Sequence, residues 1–371
     1  MSQDALVVHR WSGQRPDVRG LPQGRDVHPV LRETADRQRG VFTANDVRRA
    51  GLAPIDVQSA LRRGEWDRLR QGVYVERRVL REATARGDDD RHLLDCAAVL
   101  LCLGGRPALS HTSAARLSGL LVPASAEQPV VSLTDEAQWR KGRGYTVMRA
   151  GLPPVDVRVD GLVRWTGPAR TLVDCARDWS LEDAVIAMDA ALHDHLLTAD
   201  ELRSAILRQT HWSGIGAAAR AAGLASDRAE SPLESLGRLR ILGSGLPPPE
   251  LQMDLSGPRG FVGRVDAWYE DAAVAVEFDG RVKYDDPFRG RTAAQVLWDE
   301  KRREDAIRDL GVRMVRVVRA DLRGGWPDRV RELLRTRPLQ RSVHAVPAVL
   351  KSRPLGDRPG SPPLLLAHDV A

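Results

Sequence analysis

The chain has 371 residues, too many for one ordinary domain, so two or three domains are expected. Hydrophobic residues at 42% and charged residues at 29% exclude a wholly disordered chain. The net charge is +6, and of 56 basic residues only Lys141, Lys283, Lys301 and Lys351 are lysine, so the positive charge is carried by arginine. A basic chain permits a polyanionic partner without establishing one.

The longest apolar run, Cys96 to Leu103, is too short to span a bilayer, and the first residues lack the charged and apolar regions of a signal peptide. A soluble, cytoplasmic bacterial protein is expected, with no membrane partner. Cys96, Cys102 and Cys175 are too few and too scattered for a disulfide framework, and each sits in an apolar stretch that predicts burial.

Residues 1–30 carry Gly, Pro and Arg with little periodicity and read as a disordered arm. The first folded unit spans 31–78. A helix over Val30 to Gln38 is followed by Thr43, an N-cap with Asp46 in the acidic position of a capping box. The helix Ala44 to Ala50 stops at Gly51. A third helix opens at Pro54 and runs to Arg63 before Gly64. Trp66 to Leu69 and Val73 to Val75, joined at Gln71-Gly72, predict a hairpin. Three short helices and a hairpin is the order of a winged helix-turn-helix. The unit holds 11 arginines against 7 acidic residues, +4 of the whole chain's +6. The third helix then offers Gln58, Ser59, Arg62 and Arg63 to base edges, since Gln and Arg pair with adenine and guanine in the major groove. Arg68 and Arg70 flank the wing, where phosphate contact is the usual role. An ordinary solvated surface on a protein-docking module is the competing reading.

The middle unit, 88–208, is mixed α+β. Helices are predicted over Arg91 to Leu103, Thr112 to Gly119, Ala169 to Trp179 and Leu181 to Leu192, with strands over Val130 to Leu133 and Tyr145 to Met148. Nothing in it has catalytic spacing, and His111 reads as a hydrogen-bonding residue at a helix start. The Gly/Ala stretch Gly214 to Gly223 reads as a connection.

The last unit, 229–335, opens with Ser231-Pro-Leu-Glu234, in which Glu234 reads as the acidic member of a capping box. Strands over Val262 to Tyr269 and Ala273 to Asp279 follow, then a charged helix Ala293 to Leu310, a strand Val312 to Val318 and a short helix near Asp328 to Leu334. Strand alternation puts Glu277 and Asp279 on one face and Val274, Val276 and Phe278 on the other. On the neighbouring strand Val265, Ala267 and Tyr269 share a face opposite Asp266. A two-residue turn at Glu270-Asp271 pairs Asp266 with Ala275 and sets it diagonal to Glu277. Converging carboxylates repel, and hard oxygen ligands suit Mg²⁺, with Mn²⁺ as substitute. A solvated acidic face on an edge hairpin is the bland alternative. Trp268 and Trp298 read as core or partly buried aromatics. Residues 340–371, rich in proline, read as a disordered tail.

Two resemblances follow from these residues. Gly40-Val-Phe-Thr, Ala50-Gly-Leu, Leu61-Arg-Arg-Gly and Arg70-Gln-Gly-Val-Tyr-Val75, with Leu109-Ser-His-Thr-Ser-Ala-Ala115 and Gly167-Pro-Ala-Arg-Thr-Leu-Val-Asp174 further on, resemble the AbiEi family, antitoxins of type IV toxin–antitoxin systems. That resemblance implies operator binding, autorepression and a cognate toxin as partner. Glu230-Ser-Pro-Leu-Glu-Ser235, Arg264-Val-Asp266, Val276-Glu-Phe-Asp-Gly280, Lys301-Arg-Arg-Glu-Asp305 and Gly311-Val-Arg-Met-Val-Arg-Val317 resemble the PD-(D/E)XK nucleases, within them the very-short-patch repair endonucleases.

This second resemblance implies a restriction-endonuclease-like α/β domain with Asp266 and Glu277 as metal-binding acids. Asp279 stands where the superfamily has its lysine, so Lys283 or Lys301 is left to supply the cation. The chain as a whole reads as an α+β multidomain protein. Three functions stay open: Mg²⁺-dependent DNA hydrolysis using Asp266, Glu277, Asp279 and Lys283 or Lys301; a non-catalytic repressor; and a toxin-neutralising interaction protein. The oligomeric state is not readable from the sequence.

Overall fold

A computed structural model describes residues 28–126, 130–279, 293–336 and 343–349. These fall into two compact units. The first holds the described residues up to Ala187 together with Leu197–Ala219; the second holds Met188–Leu196 and the described residues from Arg220 onward.

In the first unit, helices α1 (Pro29–Arg37), α2 (Ala44–Arg49) and α3 (Pro54–Arg63) pack with strands β1 (Val41–Thr43), β2 (Trp66–Arg70) and β3 (Val73–Glu76). The helix ends are written in the sequence. Thr43 Oγ1 accepts from Asp46 N at 3.1 Å and Asp46 Oδ2 accepts from Thr43 N at 2.8 Å, closing the reciprocal cap. Proline opens α3, and Gly64 closes it in the left-handed conformation at φ +71°. The sheet runs β1-β3-β2, all antiparallel. Phe42, Trp66 and Tyr74 meet beneath α2 and α3, the first two edge to face at 4.8 Å. The short strand β1 lies in the predicted turn between the first two helices.

Helices α4 (Arg77–Arg86) and α5 (Asp88–Cys102) lead into a second sheet. It has six strands: β4 (Ala108–Leu109), β5 (Val131–Asp135), β6 (Arg140–Gly142), β7 (Tyr145–Arg149), β8 (Val157–Asp160) and β9 (Val163–Thr166). Their order is β6-β7-β5-β4-β9-β8, with β5/β7 and β4/β9 parallel. Helices α5 and α6 (His111–Leu117) supply the cover, and α7 (Pro168–Ala176) packs on α6. α8 (Leu181–His193), α9 (Ala199–Arg208) and α10 (Ile215–Leu224) follow, so the Gly/Ala stretch expected as a connection is helical; alanine is the best helix former and outweighs the two glycines. Cys96 and Cys175 are buried, but Cys102 is exposed on the last turn of α5, which corrects the expectation for that residue.

The second unit is a five-stranded sheet with helices on both faces. α11 (Pro232–Gly243) precedes β10 (Glu250–Gly257), β11 (Gly260–Tyr269) and β12 (Val274–Asp279); α12 (Ala293–Asp309) leads to β13 (Arg313–Val318), and α13 (Trp326–Arg335) and β14 (His344–Pro347) complete it. The strand order is β13-β12-β11-β10-β14, antiparallel except for β12/β13. Ile241, Val274, Val276, Phe278, Val315, Trp326 and Val330 pack on one face; Leu255, Trp268, Ala275 and Ile307 pack on the other. Both faces are therefore covered, and the solvated acidic face of an edge hairpin is excluded.

Two corrections follow. Residues 344–347, assigned to a disordered tail, form β14 and pair with Met253–Ser256. Val265 packs with Trp268 on the α12 side while Ala267 and Tyr269 face α11 and α13, so the alternation breaks between Val265 and Ala267, opposite Gln252 with its φ of +52°. Among the described residues, no helix is long and apolar enough to cross a membrane.

Candidate functional site

Two groups of residues singled out by the sequence are placed by the fold: the arginines on and beside α3, and the carboxylates of β11 and β12.

On α3, Val57 and Ala60 turn to the core while Gln58, Arg62 and Arg63 are exposed and Ser59 is half-buried. Gln58 and Arg62 are four residues apart and share one face. Arg62 Nη2 donates to Ser59 Oγ at 3.3 Å. Arg63 is already engaged, its fork meeting both Glu65 oxygens at 2.9 and 2.8 Å. Arg68 is exposed beside the Tyr74 ring. Arg70 is half-buried. Its Nη1 donates to the Arg143 carbonyl at 2.6 Å, and its guanidinium lies 5.6 Å from the Tyr145 ring centroid. It joins β2 to the six-stranded sheet, so its expected phosphate role gives way to a structural one. The sequence reading passed over Arg48 and Arg49, exposed at the end of α2; their place in a last turn was the available signal.

In the second unit the hairpin between β11 and β12 is longer than expected. Glu270–Ala273 make the turn, so Trp268 rather than Asp266 faces Ala275. The shift is by two residues, so Ala267, Tyr269 and the residues of β12 keep the faces that alternation gave them. One step further, the same register sets Asp266 beside Glu277. Asp266 Oδ2 accepts from Phe278 N at 2.8 Å, and Oδ1 accepts from Gln252 Nε2 at 3.2 Å. Gln252 Nε2 also donates to Glu234 Oε2 at 2.9 Å. Ser231 caps α11, its Oγ accepting from Glu234 N at 3.3 Å; the Glu234 carboxylate accepts from Ser231 Oγ at 2.7 Å and from Glu230 N at 2.9 Å instead of Ser231 N, so the expected reciprocal box is half made. Burial pushes the Glu234 carboxyl up to about 7, and the Asp266 charge adds to the rise. Glu277 is 6% exposed, and burial raises its carboxyl against the pull of Arg303.

The cations beside Glu277 are arginines that the sequence reading did not select. Arg303 Nη2 lies 3.0 Å from Glu277 Oε1; Arg316 lies 3.8 Å from both Glu277 and Asp279 and 3.0 Å from Glu300. Arg316 faces Glu277 across the parallel β12/β13 ladder. On α12 the inward stripe is Glu300, Arg303, Glu304 and Ile307, with Ile307 fully buried. Lys301 is exposed on the opposite side, so it does not meet the carboxylates. Lys283 lies outside the described residues. Trp298, expected to be at least partly buried, is 62% exposed, being off the same stripe.

The donor set does not fit the Mg²⁺ that the sequence implied. Asp266 already accepts from a backbone N–H and an amide, and two guanidinium groups hold the space beside Glu277. Among the described residues, no group of three His, Cys, Asp or Glu side chains is placed to hold a metal ion.

Residues 29–77 match the family model of the transcriptional regulator AbiEi antitoxin. The match runs from α1 to the start of α4. Two uncharacterized proteins, from two strains of Mycobacterium tuberculosis, are each 35% identical to the chain over 166 residues, which is 45% of this chain and 58% of theirs. The chain thus spans a little over half the length of these relatives.

Proposed function

We propose that the chain is a DNA-binding transcriptional regulator of the antitoxin type, with residues 29–77 as a winged helix whose α3 enters the major groove. One observation carries this reading: the matched family segment coincides with the α1-to-β3 unit, on which Gln58, Ser59 and Arg62 lie together on an exposed helix face. Gln58 and Arg62 would read base edges. Arg68, Arg48 and Arg49 would contact phosphates and hold the register. The partners are operator DNA and, by analogy with the family, a cognate toxin protein; neutralisation of that toxin by direct contact would be tested with the product of the adjacent gene.

Fluorescence anisotropy on labelled duplex from upstream of the coding sequence, against a scrambled duplex, tests the reading across a salt series. The expected result is tighter binding to the upstream duplex, with an affinity that falls as salt rises. Equal affinity for both duplexes would remove the regulator.

A second reading rests on the second unit. Its order of helix, three antiparallel strands, helix and parallel strand supports a restriction-endonuclease-like fold. Arg303 and Arg316 beside Glu277, and Asp279 in the lysine position, favour a domain that keeps the fold without the hydrolysis. Incubation of supercoiled plasmid with the full chain and Mg²⁺ or Mn²⁺ is expected to leave it intact. Cutting that vanishes in Glu277→Ala would reverse this.

A further inference from the structure

Leu109-Ser-His-Thr-Ser-Ala-Ala115 and Gly167-Pro-Ala-Arg-Thr-Leu-Val-Asp174 take no part in DNA binding as read above. The fold brings both to one cleft of about 610 Å³ in the first unit, whose walls include His111, Glu136, Arg170, Asp174, Arg177 and Trp212. That volume suits a small organic ligand.

The walls are held rigidly. Arg170, 2% exposed, donates from Nε to Asp174 Oδ2 at 2.9 Å and from Nη1 to the Gly151 carbonyl at 3.0 Å. Its guanidinium stands 4.7 Å from the centroid of Trp212, and that of Arg177 stands 5.3 Å away. Arg177 Nε donates to the Ser213 carbonyl at 2.6 Å.

Two groups in this frame remain unfulfilled. Asp174 is fully buried, yet its Oδ1 has no hydrogen-bond partner, Arg177 Nη1 being 3.6 Å away. A buried acceptor without a donor is costly to keep. His111 carries backbone strain at φ +48°. Its Nδ1 lies 3.0 Å from Ser110 Oγ, which already accepts the Thr134 hydroxyl at 2.8 Å. Ser110 Oγ thus has its own proton to give to Nδ1, and in that tautomer the imidazole proton sits on Nε2. Burial holds this histidine below its ordinary value, so the ring is neutral at neutral pH. In that tautomer the cleft combines an N–H donor on His111 with an unfilled carboxylate acceptor on Asp174.

Charge narrows the ligand. Arg149, Arg170 and Arg177 are balanced by Glu136, Asp174 and Asp178. An even balance does not concentrate a polyanion, so a nucleic acid strand is not the occupant. A donor and an acceptor together complement the amide or amidine edge of a nucleobase, and exposed Arg149 is available for one phosphate.

We propose that this cleft binds a mononucleotide, with His111 Nε2 donating to a ring acceptor of the base, Asp174 Oδ1 accepting from a base N–H, and Arg149 meeting the phosphate. The proposal is independent of whether residues 29–77 bind DNA.

Isothermal titration of the full chain with AMP, CMP, GMP and UMP, and with ribose 5-phosphate as the baseless control, tests it. At least one nucleotide is expected to bind saturably while ribose 5-phosphate does not. Asp174→Asn and His111→Asn should each weaken that binding by about tenfold or more. Arg149→Ala should weaken the nucleotide but not its nucleoside. Asparagine tolerates the left-handed backbone at position 111, so His111→Asn decides the matter if Asp174→Asn fails to fold. Binding by none of the four nucleotides, equal binding of ribose 5-phosphate, or unchanged affinity in His111→Asn would overturn the proposal.

Discussion

Asp156 in the first unit is met by Arg170 at 3.2 Å and Arg208 at 2.6 Å, whereas Glu234 and Asp266 in the second share the Gln252 amide. In the first, two guanidinium groups lie directly against one buried carboxylate; in the second, an amide bridges two half-buried ones. A guanidinium fork holds a carboxylate in one geometry through charge-assisted hydrogen bonds. An amide fixes the geometry without adding positive charge, and burial, with the Asp266 charge behind it, makes the Glu234 carboxyl hold its proton. The second cluster is expected to respond to pH.

The largest effect should come from breaking the first cluster. Arg170→Ala leaves Asp174 and part of the demand of Asp156 buried and uncompensated, at a cost of about 3–5 kcal/mol. The midpoint of urea unfolding would measure it, and a loss under about 1 kcal/mol would dissolve the contrast between the clusters.

A smaller effect separates them by pH. The Glu234 carboxyl, raised from 4.5 to about 7 on folding, makes the native state bind protons more tightly than the unfolded chain. Its contribution to stability is full below the ordinary carboxyl range and is lost as pH rises through about 7. The melting temperature should therefore fall across that window, and Glu234→Gln should flatten the fall. A wild-type curve that rises over the same window would refute the assignment.

On the exposed side, Gln58→Ala and Arg62→Ala should each cost about 1–3 kcal/mol of discrimination between operator and scrambled duplex, measured by anisotropy. Arg68→Ala should weaken both duplexes alike and lower the salt slope by about one. Arg70→Ala should leave the salt slope unchanged and cost about 1 kcal/mol of stability through its lost hydrogen bond. The smallest effect expected is none: Mg²⁺ should not raise the melting temperature of the wild-type chain. A rise that grows with Mg²⁺ would indicate a native metal site and restore the hydrolytic reading.

The legible parts of the fold were those with local chemistry. Thr43 with Asp46, Pro54 with Gly64, and Ser231 with Glu234 mark helix ends by residues that satisfy backbone groups within one turn, and the observed helices begin or end there. The strands β8, β9 and β10 were missed because their pattern depends on which faces are covered, a property of distant segments. The candidate site divides in the same way. The face of β12 carrying Glu277 and Asp279 followed from alternation, but the identity of its cation did not. Lys301 drew attention because lysine is rare in this chain, yet Ile307 fixes the inward stripe of α12 four residues beyond Arg303 and turns Lys301 to water. Arg316 was readable only with the parallel register of β13 in hand.

One peripheral strand has a consequence for how the chain survives handling. β14 lies at the rim of the five-stranded sheet and occupies the outer side of β10 over Met253 to Ser256, with Val343 tucked into the core beside it. Removed, it would bare the backbone amides and carbonyls of β10 as a template for another chain. Pro347 in β14 lacks the N–H that would invite such pairing in its turn. β14 thus works as a selvage, a woven border along the sheet, and trimming the chain after Arg335 should raise its tendency to aggregate, read by light scattering.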